Sequence, residues 1–400
     1  MWRELLPVGR YDATGGYRRY AWNAADDECR AWFREQALGR GLTYEVDRNG
    51  NQWAWYGDPS AGDAIVTGSH LDSVPDGGAY DGPLGVVSAF AALDALRDRG
   101  VLGDQDVLRD QGVLRDRRTT GGRPLAIVNF GDEEGARFGV ACVGSRLMAG
   151  VLDPGHARSL RDQDGVLLGD AMERAGHDPA GIGRDDERLG RIAAYVELHV
   201  EQGRNLGDAP VGVASAIWPH GRWRFDFHGE ANHAGTTRLE DRRDPMLAYA
   251  ATVLNAREQA RLAGALATFG KISVEPNGTN AIASRVTAWL DSRAADSATL
   301  DMLVKEIIHQ SGAEVTRESF TPVVEFDGPL RDRLAARLGG VPVLPTGAGH
   351  DAGILASAIP TAMLFVRNPT GVSHSPEEFA EEADCLAGVA ALVAVLEDLL

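Results

Sequence analysis

Five residues of metal-ligating type stand at separated points of the chain, most of them just after short apolar segments. They are His70, Asp81, Glu134, His199 and His374. A neutral imidazole suits Zn, Mn, Co or Ni, and a carboxylate can bridge two such ions. If Asp81 bridges, two divalent metal ions each obtain three protein ligands. The residue types therefore predict a binuclear metal site and leave the identity of the metal open.

Three consecutive acids, residues 132–134, follow the apolar segment PLAIVNF. Such a run is usually a solvated loop, but at the mouth of a parallel sheet it offers different chemistry. One carboxylate can ligate a metal while its neighbour holds a proton near a water molecule, which is the general-base arrangement of metal-assisted hydrolysis. Asp72, two residues after His70, could orient that imidazole. We expect His199 and His374 to lie in loops.

The elements that must position these residues are short apolar strands. AIVTGSH, PLAIVNF and AAYVELH each end in polar residues, and helical patterns separate them. Apolar strands that alternate with helices indicate an α/β fold with a mostly parallel sheet covered on both faces. Ligands bind beyond the carboxyl ends of the strands in such sheets. We also expect a hairpin at Asn49-Gly50 and helices over about 25–38, 85–99 and 386–396.

The pattern changes between about residues 214 and 326. RWRFDFHG alternates like an antiparallel strand, and the order that follows is helix, strand, strand, helix, strand. This is the order of a small α+β sandwich inserted into a larger domain. We therefore predict a metal-binding catalytic domain formed by 1–213 and 327–400, and an inserted domain formed by 214–326.

Composition excludes several classes of function. The chain has 400 residues and a formal net charge of −18, which disfavours binding to nucleic acid and anionic membranes. The N-terminus lacks the pattern of a secretory signal, and no apolar stretch approaches the ~20 residues that cross a bilayer. Three cysteines without metal-type spacing fit buried thiols in a reducing cytoplasm. The near-repeat at 101–117 has a period of six, which suits a surface expansion better than an amphipathic helix.

Taken together, these motifs resemble the M20-type metallohydrolases. The resemblance is to the branch of allantoate amidohydrolases and N-carbamoyl-L-amino-acid hydrolases that includes β-ureidopropionase, and it covers nearly the whole chain. The strings that carry it are GSHLDSVPDGGAYDGPLGV, NFGDEEGARFG, ELHVEQG, ANHAGTT, GTNAI, GAGHDAG and SHSPEEF.

The resemblance implies two metal groups that share Asp81. His70 and His199 would complete one group, and Glu134 and His374 would complete the other. The peptidase branch of the superfamily usually has a carboxylate at the position of His199. The imidazole here therefore favours the amidohydrolase branch, as does the sequence Gly-Pro-Leu after Asp81.

The resemblance also implies catalytic and substrate contacts. Glu133 would be the general base that activates water and then protonates the leaving nitrogen. His233, on the inserted domain, would stabilise the oxyanion, with this domain acting as a lid and dimerisation domain in a homodimer. The predicted substrate contacts are Gln202, Asn280, Arg293 and His350. For Arg293 the alternative is a strand-end salt bridge, and for His350 it is a hydrogen bond that stabilises a loop.

Two positions depart from the family pattern. Ala283 and Arg238 each stand where a proline is usual. The first loosens a loop beside the predicted carboxylate site, and the second adds a charge near His233.

The expected function is metal-dependent hydrolysis of a ureido or carbamoyl C–N bond in a small carboxylate substrate. Allantoate or an N-carbamoyl amino acid is the first expectation. The alternatives are an N-formyl or formimino amino acid as substrate, an aminoacylase or dipeptidase of the same superfamily, and a non-catalytic binding protein.

Overall fold

The computed structural model describes residues 1–103 and 122–400. Most of the near-repeat at 101–117 therefore lies outside the described residues. The helices are α1 (Trp2–Leu5), α2 (Ala24–Gly39), α3 (Pro83–Asp98), α4 (Val143–Ala149), α5 (Pro154–Ser159), α6 (Leu168–Arg174), α7 (Asp186–Leu189), α8 (Pro245–Ala263), α9 (Ser297–Ser311), α10 (Gly328–Arg337), α11 (Asp351–Leu355) and α12 (Glu382–Leu399). The strands are β1 (Thr43–Val46), β2 (Gln52–Tyr56), β3 (Ala64–His70), β4 (Leu125–Phe130), β5 (Ile192–Val200), β6 (Val211–Ile217), β7 (His220–His228), β8 (Asn232–His233), β9 (Leu266–Glu275), β10 (Ala281–Ile282), β11 (Arg285–Arg293), β12 (Glu314–Thr321), β13 (Val324–Glu325), β14 (Val343–Thr346) and β15 (Thr361–Val366).

The main sheet has a parallel centre. Its strand order is β1-β2-β4-β3-β5-β15-β6-β13, and β14 also pairs with β6. Strands β4, β3, β5 and β15 run parallel to one another, whereas β2 and β6 join them antiparallel. The predicted α/β class with a mostly parallel sheet is confirmed. Because the four central strands run the same way, their carboxyl ends meet at one edge of the sheet.

Burial explains why the central strands have no alternation of polar and apolar residues. Every residue of β3, β4 and β15 is buried, since helices cover both faces of a parallel sheet. Helices α2, α3 and α12 contribute apolar side chains to this core, including Phe33, Phe90 and Leu392. Within the part of the chain that the structure describes, no helix is long and apolar enough to span a membrane.

Local signals set the ends of the predicted helices. Asn23 accepts a hydrogen bond from the backbone N–H of Asp26 and begins α2, and Pro83 occupies the first turn of α3. The hairpin of β1 and β2 encloses Asn49-Gly50 as predicted. The expectation of uniformly buried thiols is wrong in one case: Cys29 and Cys142 are buried, whereas Cys385 is only partly buried.

A second compact unit comprises Ala216–Val324 and Pro345–Ala348. Its antiparallel sheet has the order β12-β7-β11-β9, and helices α8 and α9 pack on it. The core between them contains Phe225, Leu290 and Ile307. Apart from the two-residue strands β8 and β10, the chain order within the unit is strand, helix, strand, strand, helix, strand, which is the order that the sequence predicts.

Asp226 anchors neighbouring strands of this second sheet. Its Oδ1 accepts hydrogen bonds from Thr287 Oγ1 at 2.8 Å and Arg285 Nε at 3.1 Å, and its Oδ2 accepts one from Arg224 Nε at 2.9 Å. Burial by itself would raise the pKa of Asp226, but the hydrogen bonds from Arg285, Thr287 and Arg224 outweigh it and lower the pKa to about 2.

Asp226→Asn is expected to lower the free energy of unfolding by about 1–3 kcal/mol at neutral pH, because hydrogen bonds to a charged group are lost. A carboxyl group whose pKa is lowered by folding stabilises the folded state fully at pH values above its usual pKa of 3.8. This stabilisation is lost as the pH falls through the lowered pKa of about 2. Urea unfolding should therefore show that the difference in the free energy of unfolding between Asp226→Asn and the unsubstituted protein shrinks as the pH falls from 3.8 to about 2. The exposed Asp301→Asn is the control. A pH-independent difference would contradict the prediction.

Candidate metal centre

His70 and His199 come from neighbouring parallel strands. His70 is the last residue of β3, and His199 is the penultimate residue of β5 rather than a loop residue, which corrects the prediction. Both imidazoles are buried, and their ring centroids lie 5.8 Å apart. His70 pairs with Phe130 of β4 and His199 pairs with Phe365 of β15, so neighbouring strands of the sheet fix the backbones that carry the two histidines. The two rings therefore have defined positions before any ion binds.

Asp81 lies between three imidazoles. Its Oδ1 is 3.2 Å from His199 Nε2 and 3.8 Å from His70 Nε2, whereas its Oδ2 is 3.3 Å from His374 Nε2. Gly82 makes this approach possible, since a Cβ at that position would lie 2.4 Å from the His70 ring. Its φ of +84° also favours glycine. The two carboxylate oxygens thus face two different groups of side chains.

The donor atoms form two groups of the size that a metal ion requires. His70, Asp81 and His199 place ligand atoms within 4.8 Å of one another, and so do Asp81, Glu134 and His374. These are the two groups predicted from the sequence.

A third group of similar size among the described residues contains Glu197, His199 and His350. Both Glu197 oxygens already accept hydrogen bonds, one from Ser69 Oγ at 2.7 Å and one from Ala352 N at 2.9 Å. We therefore interpret Glu197 as a structural residue.

The hydrogen bonds of the imidazoles fit metal ligation. His70 Nδ1 lies 3.2 Å from the carbonyl oxygen of Asp72, and His199 Nδ1 lies 2.9 Å from that of Val200. A carbonyl can only accept, so in the neutral ring the proton resides on Nδ1 and the lone pair on Nε2. Both Nε2 atoms are buried and, among the described residues, have no hydrogen-bond partner. The Nε2 lone pairs of His70 and His199 thus face the carboxylate of Asp81, and a cation bound between them would satisfy all three groups.

Charge and burial shift the pKa values of the metal-free site. Burial would lower the pKa of His70, but Glu133 and Asp72 outweigh it and raise the pKa well above the usual range. The carboxylate of Asp81, 3.3 Å from His374 Nε2, raises the pKa of His374 to about 9. Burial raises the pKa of Glu134 to about 7, and the charge of Asp81 adds to this effect. The cluster thus stabilises positive charge at its imidazoles and disfavours a further uncompensated negative charge.

Glu133 has the position expected of a proton acceptor. It is buried, and its Oε2 lies 3.8 Å from His70 Nε2. Burial raises its pKa well above the usual range, and the charges of Asp351 and Glu134 act in the same direction. The thiol of Cys142 donates to its Oε1 over 3.4 Å. A carboxylate that favours the protonated form can take up a proton and release it again.

Asp72 contributes more to the acidic loop than the sequence indicates. Its Oδ1 and Oδ2 accept hydrogen bonds from the backbone N–H groups of Glu133 and Glu134, at 3.1 and 3.0 Å. It also contacts His70 Nδ1 through its carbonyl oxygen, and its Oδ1 lies 3.4 Å from that atom. Sequence reasoning missed Cys142, because a cysteine at a helix start carries no signal of its own.

Two predicted substrate contacts lie at the metal groups. Gln202, whose φ is +59°, donates from Nε2 to Asp81 Oδ2 over 2.8 Å and lies 3.4 Å from His374 Nε2. His350 is buried, with its ring centroid 4.5 Å from that of His199. Burial lowers the pKa of His350 well below its usual value, and the neighbouring His199 adds to the effect. His350 is therefore neutral at physiological pH.

His233 and Asn280 lie together in the second unit. Strand β8 pairs with β10 so that His233 is opposite Ala281, and the carbonyl oxygen of Asn280 accepts from Ala234 N over 3.0 Å. His233 Nδ1 accepts from the backbone N–H groups of the two residues Gly235-Thr236, at 2.9 and 3.2 Å. The proton of the neutral ring is then on Nε2, which leaves that nitrogen as a hydrogen-bond donor.

Arg293 forms the strand-end salt bridge that was its alternative assignment. Its Nε lies 2.8 Å from Asp291 Oδ1, and its Nη1 donates to the carbonyl oxygen of Gly347. A guanidinium has five N–H donors, so some stay available for a substrate carboxylate.

Comparisons with known proteins agree with this geometry. A sequence profile of peptidase family M20/M25/M40 matches residues 112–398. An N-carbamoyl-L-amino acid amidohydrolase of Geobacillus stearothermophilus is 36% identical, with 98% of this chain and 96% of the relative covered. An allantoate amidohydrolase of Escherichia coli (strain K12) is 30% identical, with 97% and 94% covered. The crystal structure of a hydantoinase/carbamoylase family amidase from Burkholderia vietnamiensis matches with a TM-score of 0.83 at 29% identity, covering 100% of this chain and 95% of that one. The resemblance in the motifs is thereby confirmed, and the chain belongs to peptidase family M20/M25/M40.

Proposed function

We propose that this protein is a binuclear metal-dependent amidohydrolase that cleaves a ureido or carbamoyl C–N bond in a small carboxylic acid. The observation that carries the proposal is the division of Asp81 between two ligand groups, with Oδ1 toward His70 and His199 and Oδ2 toward His374. The similarity to N-carbamoyl-L-amino acid and allantoate amidohydrolases supports this substrate class.

The donor set fits two divalent ions of the Zn, Mn, Co or Ni type. His70, Asp81 and His199 would hold one ion, and Asp81, Glu134 and His374 would hold the other. When bound, such ions polarise a substrate carbonyl and make water a better nucleophile at neutral pH.

The protein's own residues then transfer the protons and bind the substrate. A carboxylate oxygen of Glu133 takes a proton from the attacking water as the new C–O bond forms. Glu133 returns that proton to the leaving nitrogen as the C–N bond breaks, so one group acts as base and then as acid. In this proposal, Nε2 of His233 donates to the oxyanion, Gln202 and His350 line the substrate site, and Asn280 and Arg293 bind the substrate carboxylate.

A substrate panel tests the proposal. The metal-free protein is loaded with Mn, Co, Ni or Zn in turn, and initial rates are measured on allantoate and on N-carbamoyl, N-formyl and N-acetyl amino acids and a dipeptide. We expect the highest kcat/KM on a ureido or carbamoyl substrate with every metal that supports turnover. Hydrolysis of the dipeptide alone would contradict the proposal and favour a peptidase of the same family.

The homodimer and the cytoplasmic location stay predictions from the sequence. A role of the second unit in dimerisation is part of the proposal, because His233, Asn280 and Arg293 all belong to that unit.

A further inference from the structure

Glu378 is a buried acid that contacts two of the loops at the metal groups. It follows His374 by four residues, and only 4% of its surface is exposed. Its Oε1 accepts hydrogen bonds from the backbone N–H groups of Tyr80 and Asp81, at 3.0 and 2.9 Å. Its Oε2 accepts one from Ser373 Oγ at 2.8 Å. One carboxylate thus connects the loop that carries Asp81 to the loop that carries His374.

The fit around Glu378 is tight. A Cβ at Gly78 would lie 2.4 Å from Glu378 Cβ and 2.5 Å from its Oε1. The glycine-rich sequence before Asp81 is therefore needed so that the backbone can approach this side chain. Glu377, the preceding residue, is exposed and hydrogen-bonds with Ser375.

The two metal groups depend differently on this connection. His70 and His199 lie on hydrogen-bonded strands, so the sheet itself fixes their separation. His374 lies in a loop, its side chain is 53% exposed, and its φ is +54°. Its distance from Asp81 therefore depends on contacts between loops. Glu378 accepts two hydrogen bonds from the loop that carries Asp81 and one from Ser373, which precedes His374 in its own loop.

We propose that Glu378 is a positioning residue that holds Asp81 and His374 at the separation a metal ion requires. It supports the group of Asp81, Glu134 and His374 selectively, and the group of His70, Asp81 and His199 depends on it much less. The inference rests on the proposed two-metal function.

The test measures metal binding directly. Metal-free protein is titrated with Mn²⁺ against a competing chelator, and the affinity of each equivalent is determined. We expect two equivalents in the unsubstituted protein. In Glu378→Ala we expect one equivalent of unchanged affinity and a second weakened about 10–100-fold, as is typical when an outer hydrogen-bond partner of a metal ligand is lost.

Three further variants distinguish the effect of the length of the Glu378 side chain from the effect of its negative charge. Glu378→Asp keeps the charge but is one methylene shorter, so it should weaken the second ion as Glu378→Ala does, and it carries the test if the alanine variant does not fold. Glu378→Gln should retain both ions, because its amide oxygen can still accept from both backbone N–H groups. The exposed control Glu377→Ala should bind both ions normally.

Several results would overturn the inference. Normal binding of both ions by Glu378→Ala or Glu378→Asp would show that the connection is dispensable. A loss in Glu378→Gln equal to that in Glu378→Ala, or a loss in Glu377→Ala, would show that local charge is the cause. A single equivalent in the unsubstituted protein would instead overturn the two-metal function, and with it this inference.

Discussion

Replacement of Glu133 by glutamine is expected to lower kcat about 10²–10⁴-fold while both metal ions stay bound. Glutamine has nearly the same shape, but its amide cannot take a proton from water. Glu133 is not one of the residues in the two ligand groups, so the ions should be retained. The measurement combines steady-state kinetics on the preferred substrate with the metal content of the same preparation.

Asp132→Asn is the matched control within the same acidic run. Burial raises the pKa of Asp132 well above its usual range, which favours an uncharged side chain at this position, and asparagine is nearly isosteric with aspartic acid. Its φ of +55° is also one that asparagine adopts readily. This variant should keep activity within about threefold, in line with the small effect of most substitutions outside the reacting groups. Full activity in Glu133→Gln would show that another group is the base.

Asp81→Ala is expected to remove both ions and all measurable turnover. The substitution deletes the one residue that the two ligand groups share, and it leaves each group with two ligands. The loss in affinity should exceed the roughly 10–100-fold that follows removal of an outer-shell partner. Metal content by mass spectrometry, with circular dichroism to establish folding, measures the effect.

Variants that each remove one histidine ligand provide the comparison with Asp81→Ala. His70→Ala and His374→Ala should each weaken one ion, because each histidine belongs to one of these two groups. Asp76→Asn, in the same glycine-rich loop, removes charge from a partly exposed salt bridge with Arg18 and should keep both ions. Retention of two ions by Asp81→Ala would contradict a bridging role for this aspartate.

The ligand groups could be predicted from the sequence because the rule that links them is simple. Apolar strands separated by helices run parallel, and their carboxyl ends meet, so polar residues after each strand come together. The placement of His199 in a loop was wrong since the strand continues to Val200, and the ends of elements are the least certain part of such reasoning.

The contacts between loops could not be predicted in the same way. Glu378 and Asp81 are 297 residues apart and meet through a side chain and a backbone N–H, which leaves no periodic pattern in the sequence. Arg293 is the opposite case. Asp291 lies two residues earlier on the same strand, and alternation places both side chains on one face, so their salt bridge was a foreseeable alternative.

The left-handed backbone at Asp132, Cys142, Gln202 and His374 has a consequence for engineering this enzyme. Each of these residues costs roughly 1–2 kcal/mol relative to a relaxed backbone. A selection for heat resistance alone would therefore favour glycine at these positions, and at Gln202 and His374 it would remove side chains that we propose contact the substrate and a metal ion. Directed evolution of a more thermostable variant should leave these four residues unchanged and vary the residues on the exposed faces of the helices instead.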